Sequence, residues 1–217
     1  MKAQAPPRRQ PLSPDRIYRA ALAIIDREGV ESLSMRRLAA ALGVDAMSIY
    51  HHVPSKRALM QGIYETVLGE LPLPAPDDGA WQEALRALGR RFRALARRYP
   101  KVFPHLIASA EATAREIEIY QRLCAILTRA GLSAVDASRA TRAIYTYATG
   151  LALVAATALC RRRRHQGASA PPDDARSRGE GEQDFAFSIE LLIAGIERCL
   201  RAPRKAAART RASGVSS

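Results

Sequence analysis

Apolar residues recur at intervals of three and four from about residue 13 to residue 200, with Ala, Leu, Arg and Glu prominent throughout. No segment alternates apolar and polar residues between turn signals in the manner of a half-buried strand. The pattern predicts an all-α chain. Ser13 as a cap, Pro14 in the first helical position and Asp15 in the first turn open a first helix. Ile17, Ala20, Ala21, Ile24 and Ile25 form its apolar face, and Gly29 stops it. Ser34 caps a shorter helix, Met35 to Leu42, with Leu38, Ala39 and Leu42 facing inward. Gly43 ends that helix, Val44 returns to the core, and Asp45 caps a third short helix through about His51. Pro54 and Ser55 introduce a fourth, with Leu59, Ile63 and Val67 on one side.

Further breaks are expected at Leu71 to Gly79, Tyr99 to Pro104, Gly131 to Asp136 and the polar stretch Gln166 to Asp184. Pro72, Pro74 and Pro76 push their predecessors out of helical geometry. They mark the boundary between an N-terminal unit, residues 13–70, and a larger helical unit, residues 77–202. Residues 1–12 and 203–217 are expected to be disordered. The eighteen residues Ala143 to Cys160 carry no charge but include Tyr145, Thr146, Tyr147 and Thr149. They read as a buried central helix and not as a membrane span, which needs roughly 20 predominantly apolar residues. Gly150, Ala152, Ala155 and Ala156 would admit a second helix at close range. The last helix, Phe185 to Leu200, sets Phe185, Ile189, Leu192, Ile193 and Ile196 beside Gly195.

Composition adds a partner class. At 217 residues, 47% hydrophobic and 25% charged, the chain is globular, and its net charge of +13 points to a polyanion, nucleic acid before membrane. The surplus is spread out: net +3 over residues 1–70, +5 over 71–160, none over 161–200, and five basic residues in 201–217. A basic tail adds phosphate attraction but reads no sequence, so overall charge cannot carry the case. Cys124, Cys160 and Cys199 are scattered and form no ligand set with histidine, which disfavours a disulfide framework and a zinc finger. No apolar leader follows Met1, and a cytoplasmic protein is expected.

The middle helix pair of the first unit carries the functional signal. Two short helices joined through a glycine cross steeply and need a small residue at the crossing. With Met35 as first position, Ala39 is fifth, Gly43 ninth and Ile49 fifteenth, the small, glycine and apolar places of a helix-turn-helix. The third helix offers Ala46, Met47, Ser48, Tyr50 and His51, almost free of acid, and Lys56 and Arg57 stand in the first turn of the next, where free N–H groups attract phosphate.

Leu33-Ser34-Met35-Arg36-Arg37-Leu38-Ala39, Leu42-Gly43-Val44, Ser48-Ile49-Tyr50-His51-His52-Val53 and Lys56-Arg57-Ala58-Leu59 together resemble the TetR family of transcriptional regulators, and its tetracycline-repressor branch most closely. The resemblance covers about residues 13–65. It implies that Ala46, Met47, Ser48, Tyr50 and His51 face the major groove of double-stranded DNA, while Ser34, Arg36, His52 and Lys56 hold phosphates. Arg36 reaches either a phosphate or a guanine edge, and Ala46 and Met47 offer only apolar contact, as to a thymine methyl. The branch often has polar or proline residues at these two places, so a different operator is expected. Tyr50 has a second reading, as core against the first helix. His51 and His52 point about 100° apart with no third ligand beside them, so no metal is expected there. Ser48 and His51 lack a nucleophile elbow and an orienting acid, so no catalytic residue is assigned.

The same resemblance implies that the central and last helices form a four-helix bundle with a second copy; intramolecular core is the other reading of either helix. A homodimer reads two half-sites about 34–36 Å apart, or a multiple, on a palindromic operator. An effector that binds two states unequally shifts that spacing. Trp81, Phe103, His105, Tyr120, Cys124, Tyr145, Tyr147 and Thr149 are candidates for an effector pocket suited to a small organic molecule of mixed polarity, and each also reads as core. The magnesium chemistry of the tetracycline repressors uses an acid shortly after the central-helix glycine, and Leu151 to Leu159 contain none, so no cofactor is expected. The function expected is a ligand-responsive regulator, a repressor, with no enzymatic activity. A small helical enzyme or lipid-binding protein using the apolar cavity, and a non-specific nucleic-acid compactor, are the alternatives. Sequence-selective, salt-sensitive binding to a palindromic duplex separates the three.

Overall fold

The computed structural model describes residues 11–75, 79–166 and 175–201. Among these, every regular element is helical: α1 (Pro14–Glu28), a single 3₁₀ turn (Val30–Ser32), α2 (Met35–Leu42), α3 (Ala46–Tyr50), α4 (Lys56–Gly69), α5 (Trp81–Arg98), α6 (Phe103–Ile107), α7 (Ala114–Arg129), α8 (Ala134–Gln166) and α9 (Ala175–Arg201). The caps sit where short polar residues precede apolar periodicity. Ser13 Oγ accepts from the Arg16 amide, Ser34 Oγ from that of Arg37, Asp45 Oδ1 from that of Met47 and Ser55 Oγ from that of Ala58. Each satisfies an otherwise unpaired N–H in a first turn.

The expected breaks hold with three differences. α8 begins at Ala134, inside the expected Gly131 to Asp136 break. A five-residue helix, α6, begins at Phe103 near the end of the expected Tyr99 to Pro104 break, with Pro104 in its first turn, where a missing N–H costs nothing. The expected break at Gln166 to Asp184 is too long, because α9 begins at Ala175, ten residues before Phe185. Arg, Glu and Gln are good helix formers, and a helix anchored by packing extends cheaply through a polar stretch. The expected disordered ends, apart from Pro11 and Leu12, lie outside the described residues. Leu12 packs half-buried against the core.

In the first unit α1 and α4 lie against each other, and α2 and α3 pack across one end. Ile17, Ile24, Ile25, Leu38, Ile49, Leu59, Ile63 and Val67 are almost fully buried together. Gly62 allows the α1–α4 contact to be this close. A Cβ there would fall about 2.1 Å from the Tyr18 ring carbon, so the ring rests on bare α4 backbone. In the second unit α5, α7, α8 and α9 surround an apolar interior capped by Phe103 of α6, whose ring meets Phe92 edge-on with centroids 5.4 Å apart. One continuous core passes from the first unit through Leu68 and Leu71 into the second.

A polar joint lies along the edge of that core. Glu65 of α4 accepts hydrogen bonds from the Ala114 and Arg115 amides at the start of α7, the shorter at 2.5 Å. Arg115 returns to donate to the carbonyls of Leu68, at 3.4 Å, and Leu71, at 2.5 Å. Lys101 donates to the Asp26 and Arg27 carbonyls at the end of α1, and Arg57 pairs with Glu111 at 2.6 Å. Tyr99 Oη donates to Glu70 Oε1 at 2.6 Å, and burial, then that carboxylate, push its phenol up to about 12. Replacing Glu65 by Ala removes the α4 acceptor for the first amides of α7. A cost of about 1–2 kcal/mol is expected, read as a fall of several degrees in melting temperature.

Candidate nucleic-acid interface and effector cavity

The turn between α2 and α3 is fixed by Gly43, at φ +65° and ψ +38°, whose amide closes back on the Ala39 and Ala40 carbonyls. A side chain at that φ is strained even though the space around it is open. Val44 donates to Ala39 O at 3.1 Å, and Asp45 then caps α3. The result is a five-residue helix lying across the end of α2. Ile49 is completely buried, whereas Met47 is 63% exposed and Tyr50 41% exposed. Ala46 and Ser48 are half-buried, and His51 and His52 are exposed. The reading of Tyr50 as core is thereby set aside: the buried position is its neighbour, Ile49.

The flanking groups face the same solvent. Ser34 Oγ accepts from the Arg37 amide, which leaves its hydroxyl hydrogen to donate outward. Arg36 is exposed at the start of α2 and Lys56 at the start of α4. Neighbouring cations are engaged elsewhere: Arg37 with Glu28, and Arg57 with Glu111. Among the described residues Arg36 and Lys56 hold no ion pair, so both charges remain available to an outside anion. Apolar Met47, an aromatic hydroxyl, two imidazoles and flanking cations give a surface able to touch base edges and grip phosphates.

The second unit contains an apolar cavity between α5, α7, α8 and α9. Its walls include Leu88 and Phe92 of α5, Ile119 and Leu123 of α7, Tyr145 and Thr149 of α8 and Ile189 of α9. Leu68 and Leu71, at and just beyond the end of α4, also reach it. The cavity has a volume of about 50 Å³. The structure brings three of the eight expected pocket residues together there, Tyr145, Tyr147 and Thr149.

The other five are placed elsewhere. Phe103 is completely buried as a packing residue against Phe92, and Trp81 packs half-buried at the start of α5. His105 stands beside Glu31 of the first unit, Nε2 3.7 Å from its carboxylate. Tyr120 shares a 2.8 Å hydrogen bond with Ser138, and Cys124 Sγ donates to Thr141 at 3.4 Å; both therefore join α7 to α8 outside the cavity lining. Aromatic or polar character marked these positions, but helix phase sent them to other faces.

Glu116 was not among the expected residues, although it lines the cavity. Thr113-x-x-Glu116 is legible as a capping box, and that role is present: Thr113 Oγ1 accepts from the Glu116 amide and Glu116 Oε2 from the Thr113 amide, at 3.1 and 2.8 Å. The other carboxylate oxygen accepts from Tyr145 Oη at 2.8 Å. Burial, then this contact, hold the Tyr145 phenol well above its ordinary value. Among the described residues no group of three or more His, Cys, Asp or Glu is placed to hold a metal ion.

Comparison with known proteins follows the same two units. The model for bacterial regulatory proteins of the tetR family matches residues 17–63, and that for the tetracyclin repressor-like C-terminal domain matches residues 73–180. The HTH-type transcriptional repressor DrrR1 of Streptomyces coeruleorubidus is 46% identical over 90 residues, 41% of this chain; the chain spans only 33% of that relative's length. Tetracycline repressor protein class C of Escherichia coli is 30% identical over 201 residues, covering 86% of this chain and 91% of that protein. Among solved structures, the Streptomyces coelicolor TetR family protein ActR in complex with actinorhodin superposes with a TM-score of 0.69 at 25% identity, over 89% of this chain and all of that one. With a reader unit, a helical second unit and near full-length similarity to a tetracycline repressor, the chain belongs to the TetR family of transcriptional regulators.

Proposed function

We propose that this chain is a ligand-responsive repressor that binds a palindromic operator as a homodimer and is released by a small organic effector. The observation that carries the reading is the split along α3, with Ile49 sunk in the core and Met47, Tyr50 and His51 held outward. Outward side chains on a short helix, with Arg36 and Lys56 exposed and without an ion pair among the described residues, suit the major groove. Ala46, Met47, Ser48, Tyr50 and His51 read base edges, and Ser34, Arg36, His52 and Lys56 position the helix on phosphates. The chain acts on DNA in the cytoplasm and has no catalytic role. Among the described residues no helix is long and apolar enough to cross a membrane.

The second copy follows from α8 and α9. Each presents one face to the core, through Ala152, Ala156, Ile189 and Ile193, and another to solvent. On the outer faces Val154 is 64% exposed and Phe187 66% exposed, with Leu153 and Leu191 beside them. A Cβ at Gly150 or Gly195 would meet nothing, so both helices are open to close approach. Large apolar side chains left exposed on a helix suit an association site, and pairing the outer faces of α8 and α9 with those of a second copy gives the two-fold symmetry that a palindrome requires.

The test is a fluorescence-anisotropy titration of the full chain against a duplex carrying the inverted repeat beside its own gene. Tyr50→Ala should weaken binding by roughly 1–2 kcal/mol, about five- to thirty-fold, and least for a scrambled duplex. Lys56→Ala should weaken both duplexes alike and reduce the salt slope by about one. Unchanged affinity in both variants would dismiss the assignment of this face. Phe187→Glu should shift the chain from dimer to monomer in sedimentation and abolish tight binding to the full palindrome while leaving the helical signal intact.

A further inference from the structure

The cavity walls are apolar apart from a few groups on α7 and α8. Thr149 is satisfied within its own helix, donating to the Tyr145 carbonyl at 2.8 Å. Glu116 is different. Its Oε2 is committed to the capping box, while its Oε1 accepts from the hydroxyl of Tyr145, and both residues line the cavity. Resting on the regulator reading above, we propose that the effector is an apolar, ring-bearing molecule carrying a protonated amine, and that Glu116 reads that amine by exchanging the Tyr145 hydroxyl for it.

The chemistry is selective in both directions. A carboxylate in a largely apolar wall repels an anionic ligand and gives a neutral one no gain in charge. The Tyr145 hydroxyl already makes a charge-assisted bond to the carboxylate; an ammonium group adds the opposite charge on the donor side and turns that bond into an ion pair, which a neutral ligand cannot do. The cavity holds only about 50 Å³. A ring must therefore part the leucine and phenylalanine walls, and the amine must displace Tyr145. A phenol in ordinary surroundings is protonated at neutral pH, and burial beside Glu116 only raises Tyr145 further, so titration does not remove this donor.

The same exchange reaches the reader unit. Glu116 belongs to the first turn of α7, whose Ala114 and Arg115 amides rest on Glu65 of α4 and whose Arg115 side chain holds the Leu68 and Leu71 carbonyls. Drawing Glu116 toward a ligand strains the turn on which α4 is docked. Lys56 stands at the other end of α4.

The experiment uses the full-length chain with three probes of one shape: 1-naphthylmethylamine, 1-naphthalenemethanol and 1-naphthoate. Binding is measured by calorimetry, and binding to the inverted-repeat duplex is measured separately without probe. The amine should bind at least tenfold more tightly than the alcohol or the acid. Glu116→Gln, which keeps a capping-box acceptor but removes the charge, should bring amine and alcohol within threefold. Tyr145→Phe, which removes the competing donor, should tighten the amine severalfold. An equal or better alcohol or acid, a preference that survives Glu116→Gln, or no binding of any probe overturns the proposal. If Glu116→Gln fails to fold, Tyr145→Phe decides, and unchanged or weaker amine binding overturns the proposal. A chain that binds the duplex without amine preference fails only this inference. One that prefers the amine but ignores the duplex fails the regulator reading instead.

Discussion

The burial of Ile49 is the interaction on which the reader surface depends. A five-residue helix has almost no intrahelical hydrogen bonds to offset the cost of nucleating it, and such a segment would not persist in water alone. Here it is held by one fully buried side chain, worth about 1.5–3 kcal/mol of burial, by the Asp45 cap and by the left-handed turn at Gly43. Successive residues of a helix point about 100° apart. Sinking Ile49 therefore fixes where Met47, Tyr50 and His51 point.

The element that ties this surface to the second unit is α4. Its 14 residues span roughly 21 Å. Lys56 stands at its start beside α3, and Leu68, near its end, is part of the cavity wall. A helix of this length is stiff enough to act as one body, and on the reading proposed above a displacement at the cavity end would be carried to the Lys56 end. The coupling required is modest. A difference of 1–3 kcal/mol in effector affinity between two arrangements changes operator affinity by about 5- to 150-fold.

Which features were legible in the sequence follows from the range of the physics involved. Ser13, Ser34, Asp45 and Ser55 act on amides two or three residues away, and Gly43 acts on its own φ, so helix starts and the steep turn could be read from neighbours alone. The faces of α1, α2 and α4 followed from spacing for the same reason. The cavity did not, because its lining is decided by the relative rotation of four helices. Tyr120 and Cys124 differ from Ile119 and Leu123 by one residue each, yet that step turns them from the cavity toward α8. Gly62 was silent in sequence because its meaning is the Tyr18 ring, 44 residues away. Glu116 was not singled out because its place in the cavity lining depends on how α7 and α8 pack, which the capping-box spacing Thr113-x-x-Glu116 does not reveal.

The two materials that join the units behave differently under load. The shared apolar core through Leu68 and Leu71 is non-directional and tolerates small rotations with little change in buried area. The hydrogen bonds of Glu65, Arg115 and Glu116 are directional and weaken steeply once bent. A joint made only of apolar contacts would absorb a ligand's push as a graded slide. A joint made only of hydrogen bonds would break at one point and leave the units apart. With the core as bearing and the α7 first turn as catch, the units can stay together while the catch changes state. The polar groups are concentrated where α4, α7 and the cavity meet, so a change of a single hydrogen-bond partner there acts directly on the contact between the two units.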